Sequence, residues 1–205
     1  MASSSPRQQR ALGTRSRIRD AARELFLTRG YTATTIPDIA RAAGVAHQTV
    51  YFTYGSKAGV LSAIVDGAIV GDLEPVPLLQ RPQVRRIATL ADPRKRLERA
   101  VAVLCDVTQR VAPLYEIVRS GANDDEVRAL LDRHEAQRWE THRALVSLLD
   151  GDLRPGLDVD EAADRLYALV SHDGYWLLVQ RRGWSRQRWR SYAQQEAALQ
   201  LLPVR

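Results

Sequence analysis

The stretch from Thr34 to Lys57, TTIPDIARAAGVAHQTVYFTYGSK, constrains the fold more than any other part of the chain. It predicts two short helices that meet at Gly44, because glycine readily adopts the backbone conformation of a tight turn. The second helix, from about Ala46 to Thr53, is polar and aromatic where a buried helix would need apolar residues on every turn. Two helices around such a turn, the second with an unburied polar face, indicate a helix-turn-helix that contacts DNA.

Local signals support both helices. Thr35 with Asp38 forms a pattern like a capping box, and Pro37 is tolerated because first-turn amides have no partner within the helix. The same helix start leaves amide groups that can meet a phosphate. Val50 and Tyr54 can dock the second helix. The inner face of the first helix is expected to consist of Ile36, Ile39, Ala40 and Ala43.

The remaining side chains of the second helix suit a major groove. His47, Gln48 and Thr49 can bond base edges or phosphates. Phe52 can contact a thymine methyl group, and the Tyr51 hydroxyl can bond a phosphate. The alternative is that Tyr51 and Phe52 close a small core.

Charge is concentrated in the same part of the chain. Nine basic and three acidic residues lie between Met1 and Lys57, a net charge of +6, which equals the net charge of the whole chain. The remaining 148 residues therefore carry 21 charges of each sign. A localised basic segment favours phosphate binding, although a basic face can also be simply solvated.

These residues carry a resemblance to a known family. The spacing resembles the amino-terminal domain of TetR-family bacterial transcriptional regulators over about 50 residues. The matching pattern is Gly30-Tyr31-x-x-Thr34-Thr35-x-x-Asp38-Ile39-Ala40-x-x-Ala43-Gly44-Val45, then Thr49-Val50-Tyr51-x-x-Tyr54-x-Ser56-Lys57-x-x-x-Leu61.

The resemblance implies a set of DNA contacts. The corresponding residues are Arg15, Thr35, Ala46, His47, Gln48, Thr49, Tyr51, Phe52 and Lys57. Lys57 is expected to open the next helix and reach a phosphate. Two positions depart from the family: Thr53 replaces an aromatic residue or histidine, which could remove a phosphate contact, and Tyr54 replaces the commoner phenylalanine, which could change packing only.

The whole chain is expected to be all-α, with about nine helices in three parts. These are a flexible arm (1–13), a DNA-binding domain (14–57) and a ligand-binding and dimerisation domain (58–205). A helix over 56–72 precedes an extended, proline-rich connection. The later helices are predicted at about 93–111, 112–120, 124–150, 158–182 and 185–202, with Pro113 ending the first of them.

The resemblance also implies a homodimer on a palindromic operator and a small-molecule effector. The last two helices would pair in a four-helix bundle, although their apolar residues could form an internal core instead. The expected interface residues are Leu177, Trp184, Trp189, Tyr192 and Leu199. The pocket candidates are Thr108, Gln109, Tyr115, Trp139, His142, His172 and Trp176.

In the mechanism that the resemblance implies, the effector shifts the dimer to a geometry whose recognition helices no longer fit the DNA. Repression relieved by ligand is the family's usual outcome, and activation stays open. The alternative hypothesis is a protein of the same helical fold that binds small molecules or partners without specific DNA binding.

Several other functions lack a sequence signal. The four histidines show no metal-ligand spacing, and no phosphate-binding glycine motif occurs, so we expect no enzyme activity, no cofactor and no metal. Cys105, the one cysteine, excludes an internal disulfide. Apolar runs fall short of the about 20 residues that a membrane helix needs. We therefore expect a cytoplasmic, nucleoid-associated bacterial protein.

Overall fold

The computed structural model describes residues 6–71 and 76–203, with side chains from residue 9 onward. Helices and the turns between them make up this part of the chain, and it contains no strand. The expectation of an all-α fold is therefore confirmed.

Ten α-helices are described, two of them single turns, together with several short helical segments. The α-helices are Pro6–Arg29 (α1), Ile36–Ala43 (α2), His47–Tyr54 (α3), Lys57–Val70 (α4), Pro82–Arg85 (α5), Pro93–Ser120 (α6), Asp125–Val146 (α7), Val159–Leu169 (α8), His172–Tyr175 (α9) and Arg186–Leu201 (α10). Single 3-10 turns lie at Leu78–Gln80, Arg86–Thr89 and Ser147–Leu149, and α9 continues as a π-helix over Trp176–Arg181.

The chain divides into two compact units. Unit 1 comprises Met1–Gly67 and Pro113–Leu131, and unit 2 comprises Ala68–Ala112 and Asp132–Arg205. Unit 1 thus contains the segment 14–57 together with part of α4 and a second stretch from much later in the chain.

The core of unit 1 follows from helical spacing. Ile18, Ala22 and Phe26 lie one turn apart on α1 and are at most 1% exposed. Ile39 on α2 and Val50 on α3 are fully buried. Burial of one such aliphatic side chain contributes about 1.5–3 kcal/mol. These contacts hold the three amino-terminal helices together as one body.

Helix α1 starts earlier than the sequence indicates. Residues 6–13, assigned to the flexible arm, are helical, and Gly13 lies within the helix. Pro6 suits a first helical position, and the Arg, Gln, Ala and Leu residues that follow are good helix formers. One glycine costs only about 1 kcal/mol in a helix and does not end it. Residues 1–5 of the predicted arm lie outside the described residues.

Pro113 does not end a helix, contrary to the prediction. It lies inside the 28-residue α6, at the point where the division between the two units falls. An internal proline removes one hydrogen bond and costs about 3 kcal/mol. Val111 and Leu114 on either side are both buried, and their packing offsets that cost.

The helix predicted over 158–182 is interrupted after Leu169. Arg138 on α7 donates a hydrogen bond to the carbonyl oxygen of Tyr167 at 2.7 Å and approaches that of Val170 at 3.5 Å. Ser171 then caps α9 by accepting a hydrogen bond from the Gly174 amide at 3.0 Å. A guanidinium that satisfies end carbonyls also complements the negative end of the helix dipole. The interruption is therefore stabilised by a side chain 29 residues away from Tyr167 in sequence.

Replacement of Arg138 by methionine should destabilise unit 2. The variant keeps an apolar stem but leaves the end carbonyls of α8 and the Glu135 carboxylate, 2.9 Å from Arg138 Nη1, without this donor. We expect a loss of about 3 kcal/mol in the free energy of unfolding, the scale for breaking a largely buried pair. Urea unfolding followed by circular dichroism measures it.

Arg143→Met is the matched control, because Arg143 pairs with Asp160 at the surface, where both side chains are largely exposed. Water screens such pairs, so this variant should unfold close to wild type. Equal losses in the two variants would contradict a capping role for Arg138.

Candidate functional site

Helix α3 presents two different faces. Val50 is fully buried, whereas Phe52 is 94% exposed and Tyr51 is 50% exposed. His47 and Gln48 in the first turn are also exposed. The exposed positions 47, 48, 51 and 52 share one side of a helix. The exposed pair of aromatic side chains therefore does not close a core, and the alternative raised from the sequence is wrong.

Two glycines set the ends of this helix. Gly44 has a φ of 65° and ψ of 41°, the left-handed turn expected between α2 and α3. Gly55 has a φ of 77° and its amide donates to the Tyr51 carbonyl oxygen at 2.8 Å. Ala46 precedes α3 as an exposed N-cap residue without a side-chain cap. The amides at the start of α3 are therefore not occupied by a capping side chain.

The start of α2 is a complete capping box. The Asp38 amide donates to Thr35 Oγ1 at 3.3 Å, and the Thr35 amide donates to Asp38 Oδ2 at 3.2 Å. The Thr35 hydroxyl also donates to Asp38 Oδ2. These bonds from Thr35 lower the pKa of the Asp38 carboxyl. Thr35 thus uses its hydroxyl proton within the box, and a contact with DNA stays a prediction.

Arg15, Tyr54 and Thr53 lie around the same helices. The Tyr54 hydroxyl donates to the Arg15 carbonyl oxygen at 2.9 Å, which ties α3 to α1 and leaves the exposed Arg15 side chain outward. Burial raises the pKa of Tyr54. Thr53 Oγ1 donates back to the Thr49 carbonyl oxygen at 2.6 Å. Tyr54 therefore has a packing role, and the Thr53 hydroxyl proton is used within its own helix.

The Lys57 side chain makes two hydrogen bonds within the protein, which limits the phosphate contact predicted for it. Its Nζ donates to the carbonyl oxygens of Tyr31 at 2.9 Å and Thr34 at 3.0 Å, and lies 4.0 Å from the centre of the Tyr31 ring. Partial burial lowers the pKa of Lys57. Two of three N–H groups are thus committed to the α1–α2 connection. The side chain holds that connection, and at most one N–H remains for the phosphate contact expected of it.

Three of the pocket candidates come together inside unit 2. Thr108, His142 and His172 are all buried, and the His142 ring meets Tyr167 edge-on at 5.5 Å. Thr108 Oγ1 lies 3.5 Å from the Val170 carbonyl oxygen, which Arg138 also approaches. Burial lowers the pKa of His142 to about 4 and that of His172 to about 3. Both histidines are therefore neutral near pH 7.

The sequence missed three members of this polar cluster. Glu135 accepts from Arg138 and from the Tyr167 hydroxyl, and the Arg138 guanidinium lies 3.7 Å from the centre of the Tyr167 ring. The spacing of Glu135, Arg138 and His142, at i, i+3 and i+7, was a signal that all three share a helix face. Nothing in the sequence paired Tyr167 with them.

The His142 tautomer follows from its hydrogen bond. Nδ1 lies 2.7 Å from the Arg138 carbonyl oxygen, which can only accept, so Nδ1 carries the proton. Nε2 is then an acceptor, buried and without a partner among the described residues. An unsatisfied buried acceptor costs about 1–3 kcal/mol, so a ligand or water that donates to it would be stabilised.

The other pocket candidates lie elsewhere. Tyr115 belongs to unit 1, so it does not share the cluster of unit 2. Trp139 Nε1 donates to Asp164 at 2.7 Å at the surface, and Trp176 is 38% exposed. Gln109 is partly buried on α6. All seven stay candidates for ligand contact, and the buried three, Thr108, His142 and His172, lie together in unit 2.

The predicted interface residues differ in burial: two are exposed, two are partly buried and one is fully buried. Leu177 and Leu199 are 53% and 64% exposed. Trp184 and Tyr192 are partly buried, with ring centres 5.6 Å apart. Trp189 is fully buried against Tyr175, with ring centres 4.9 Å apart.

The assignment of Trp189 to an interface is wrong. Along α10 it shares one inward face with a row of buried residues, namely Ala193, Ala197 and Leu201. Trp189 therefore belongs to the hydrophobic core of its own chain.

The geometry of unit 1 is that of a helix-turn-helix, the class of fold that many DNA-binding proteins use: a docked helix with an exposed polar and aromatic face follows a capped helix and a glycine turn. Within the residues described, no group of three or more His, Cys, Asp or Glu side chains is arranged to hold a metal. No described helix is long and apolar enough to span a membrane.

The amino-terminal part of the chain matches a known family. Residues 18–64 match the family described as "Bacterial regulatory proteins, tetR family". The HTH-type transcriptional regulator AlkX of Mycobacterium tuberculosis is 48% identical over 46 residues, which cover 22% of each chain. The match thus spans less than a quarter of that relative. A Pseudomonas putida protein named as the HTH-type transcriptional regulator ArpR is 27% identical over 187 residues, 84% of each chain.

The fold also matches along most of the chain. The solved SmeT–triclosan complex has a TM-score of 0.71 at 22% identity, and the match covers 93% of this chain and 92% of that one. The amino-terminal domain is therefore a TetR-family helix-turn-helix, and the chain has the fold of TetR-family transcriptional regulators.

The buried histidines predict a pH dependence of stability. Their pKa values lie below the ordinary value of 6.5 in the folded state, so the unfolded chain binds protons first as the pH falls. Stability should be complete above pH 6.5 and decline towards pH 4. As the pH falls, each histidine lowers the free energy of unfolding by at most about 1.4 kcal/mol per pH unit. His142→Asn, which preserves a donor near Nδ1, should make the decline shallower.

Urea unfolding at several pH values between 7.5 and 4.5 measures this decline. His47→Asn is the control, because His47 is exposed on α3 and its replacement should leave the decline unchanged. A decline of equal slope in wild type and His142→Asn would show that burial of this histidine does not govern acid stability.

Proposed function

We propose that the protein is an effector-responsive transcriptional repressor that binds a palindromic operator as a homodimer. The observation that carries the proposal is the exposed face of α3, formed by His47, Gln48, Tyr51 and Phe52. It belongs to the segment that carries a net charge equal to that of the whole chain. Exposed apolar rings cost free energy in water, so their position beside hydrogen-bonding side chains supports a bound duplex.

The residues divide into two kinds of contact. Gln48 and His47 carry groups that can bond base edges, and Phe52 can contact a thymine methyl, so these would read sequence. Arg15 and Tyr51 carry groups that bond phosphates and would position the duplex. Counterion release by the basic segment would supply most of the affinity that does not depend on sequence.

Two copies are proposed because one recognition helix reads only half of a palindrome. Half-sites one helical turn apart require recognition helices about 34 Å apart. Leu177 and Leu199 are the exposed apolar side chains of the π-helix and α10 that support this region as the interface. Trp184 and Tyr192, which are partly buried, add aromatic surface nearby. If the π-helix and α10 pair isologously, the same patch is buried on both copies.

The effector is proposed to bind in unit 2. The neutral polar cluster of Thr108, His142 and His172 supports this, as does the His142 Nε2 acceptor. SmeT, which shares the fold, has been solved with triclosan. A ligand that binds one dimer geometry better than the other shifts the population between them, and operator affinity falls accordingly. Repression follows if the operator overlaps a promoter.

Substitutions on the DNA-binding face should separate the two kinds of contact. Gln48→Ala should change the preferred operator sequence more than the overall affinity. Arg15→Ala should weaken binding to all sequences alike and reduce the slope of log affinity against log salt by about 1. Fluorescence anisotropy with DNA from upstream of the gene, at several salt concentrations, measures both.

Arg94→Ala is the matched control, because it removes the same charge at an exposed position outside the basic segment and should keep the salt slope. Wild-type protein that binds no upstream DNA, or binds it without salt dependence, would contradict DNA recognition. It would favour a small-molecule or partner-binding protein on this fold.

The dimer is tested by charge at the proposed interface. Leu177→Arg and Leu199→Arg place a cation where an apolar contact is proposed, and each should shift the protein from dimer to monomer at micromolar concentration. Sedimentation velocity measures the mass. Leu79→Arg is the control, because Leu79 is also exposed, at 38%, but lies on a different element. A wild-type monomer at this concentration would refute the homodimer.

A further inference from the structure

Tyr31, just before α2, is bound by a residue from much later in the chain. Its side chain is 3% exposed, and its hydroxyl donates to Asp124 Oδ2 at 3.2 Å. Burial, followed by the nearby charge of Asp124, raises the pKa of Tyr31. The tyrosine therefore stays neutral and keeps the proton that it donates.

Ser56, just after α3, is bound by Glu126, two residues after Asp124. Its hydroxyl lies 2.5 Å from Glu126 Oε2 and donates to that carboxylate. Ser56 Oγ also accepts from the Gly59 amide at 3.0 Å, which caps the start of α4. Tyr31 and Ser56 thus bracket the helix-turn-helix, one at each end. Tyr31 is bound by Asp124 in the turn between α6 and α7, and Ser56 is bound by Glu126 in the first turn of α7.

The turn itself is well ordered by hydrogen bonds. Asp124 Oδ1 accepts from the amides of Glu126 at 3.0 Å and Val127 at 3.4 Å, so Asp124 caps α7 while its other oxygen binds Tyr31. A Cβ at Gly121 would lie 2.9 Å from Tyr31 Cδ1, so only glycine lets the ring pack this closely. Both carboxylates therefore have little freedom to move, Asp124 in the turn and Glu126 in the first turn of α7.

We propose that Asp124, in the α6–α7 turn, and Glu126, in the first turn of α7, act as a clamp that positions the helix-turn-helix for operator binding, with Tyr31–Asp124 and Ser56–Glu126 as its two contacts. The clamp rests on the proposed DNA-binding function. It fixes both ends of the segment that contains α2 and α3, so the orientation of the recognition helix is set before DNA arrives. Preorganisation raises affinity because less ordering is required on binding.

Charge alone predicts the opposite effect. The two carboxylates lie on the DNA-binding unit and repel phosphates, so their removal should strengthen DNA binding if electrostatics decided the outcome. The clamp predicts weaker binding when the contacts are lost. The sign of the change therefore separates the two explanations.

The experiment compares operator affinity of full-length variants by fluorescence anisotropy at several salt concentrations. Glu126→Ala removes the partner of Ser56, and Glu126→Gln keeps an amide oxygen that can accept the same hydrogen bond. We expect Glu126→Ala to weaken DNA binding about 3- to 10-fold, the equivalent of one hydrogen bond. Glu126→Gln should bind DNA with an affinity close to that of the wild type. The salt slope should not change, because no phosphate contact is lost.

Asp125→Ala is the matched control. Asp125 is the neighbouring carboxylate, its side chain is 94% exposed, and it pairs with Arg128 within α7. Removal of this charge should leave affinity unchanged or slightly higher. Tyr31→Phe tests the other contact, because it deletes the hydroxyl and keeps the ring beside Lys57, and it should also weaken binding about 3- to 10-fold.

Three results would overturn the clamp: Glu126→Ala binding as tightly as Asp125→Ala, Glu126→Gln binding no better than Glu126→Ala, or Tyr31→Phe binding as wild type. Far-UV circular dichroism and unfolding curves show whether each variant is folded. If Tyr31→Phe does not fold, the difference in affinity between Glu126→Ala and Glu126→Gln still tests the clamp. Failure of the wild type to bind the operator would refute DNA recognition itself and is a separate outcome.

Discussion

The placement of the recognition helix depends on how a short polar connection, residues 31–34, is satisfied. Buried carbonyl oxygens need donors, and here the Lys57 ammonium supplies them for Tyr31 and Thr34. The same ammonium lies against the Tyr31 ring, so one charge stabilises backbone and side chain together. Because Lys57 begins α4, this interaction joins the start of the helix-turn-helix to the helix that follows it. The orientation of the exposed face of α3 therefore depends on the contacts that hold residues 31–34.

Local chemistry predicted the helix-turn-helix well. The capping box at Thr35 and Asp38, the glycine turn at Gly44 and the burial of Val50 each depend on residues within a few positions of one another. Such interactions can be read from spacing alone. The same holds for Asp158 and Ser185, each of which caps a helix where the sequence predicts one.

The errors come from contacts between distant residues. Pro113 disrupts a helix locally, but packing of the neighbouring residues on either side maintains α6. Helix α8 ends at Leu169, where Arg138 from another helix satisfies the end carbonyls of α8 and Ser171 caps the start of α9. The sequence predicts Trp189 at an interface because the last two helices carry more large apolar side chains than the terminal helices of a monomer usually expose. It is buried on the inward face of α10 against Tyr175, a contact between two helices that periodicity does not reveal.

The buried histidines of unit 2 suit the proposed effector site better than a role in stability alone. A core of apolar residues would fill the same volume without an unsatisfied atom, and replacing polar groups by apolar ones is often neutral or stabilising. His142 instead keeps a proton on Nδ1 for a carbonyl of its own helix and presents Nε2 as a neutral acceptor. Because burial keeps the ring uncharged near pH 7, the site would prefer a donor group on an uncharged molecule. A cation would gain little there, because Glu135, the carboxylate of the cluster, is already paired with Arg138.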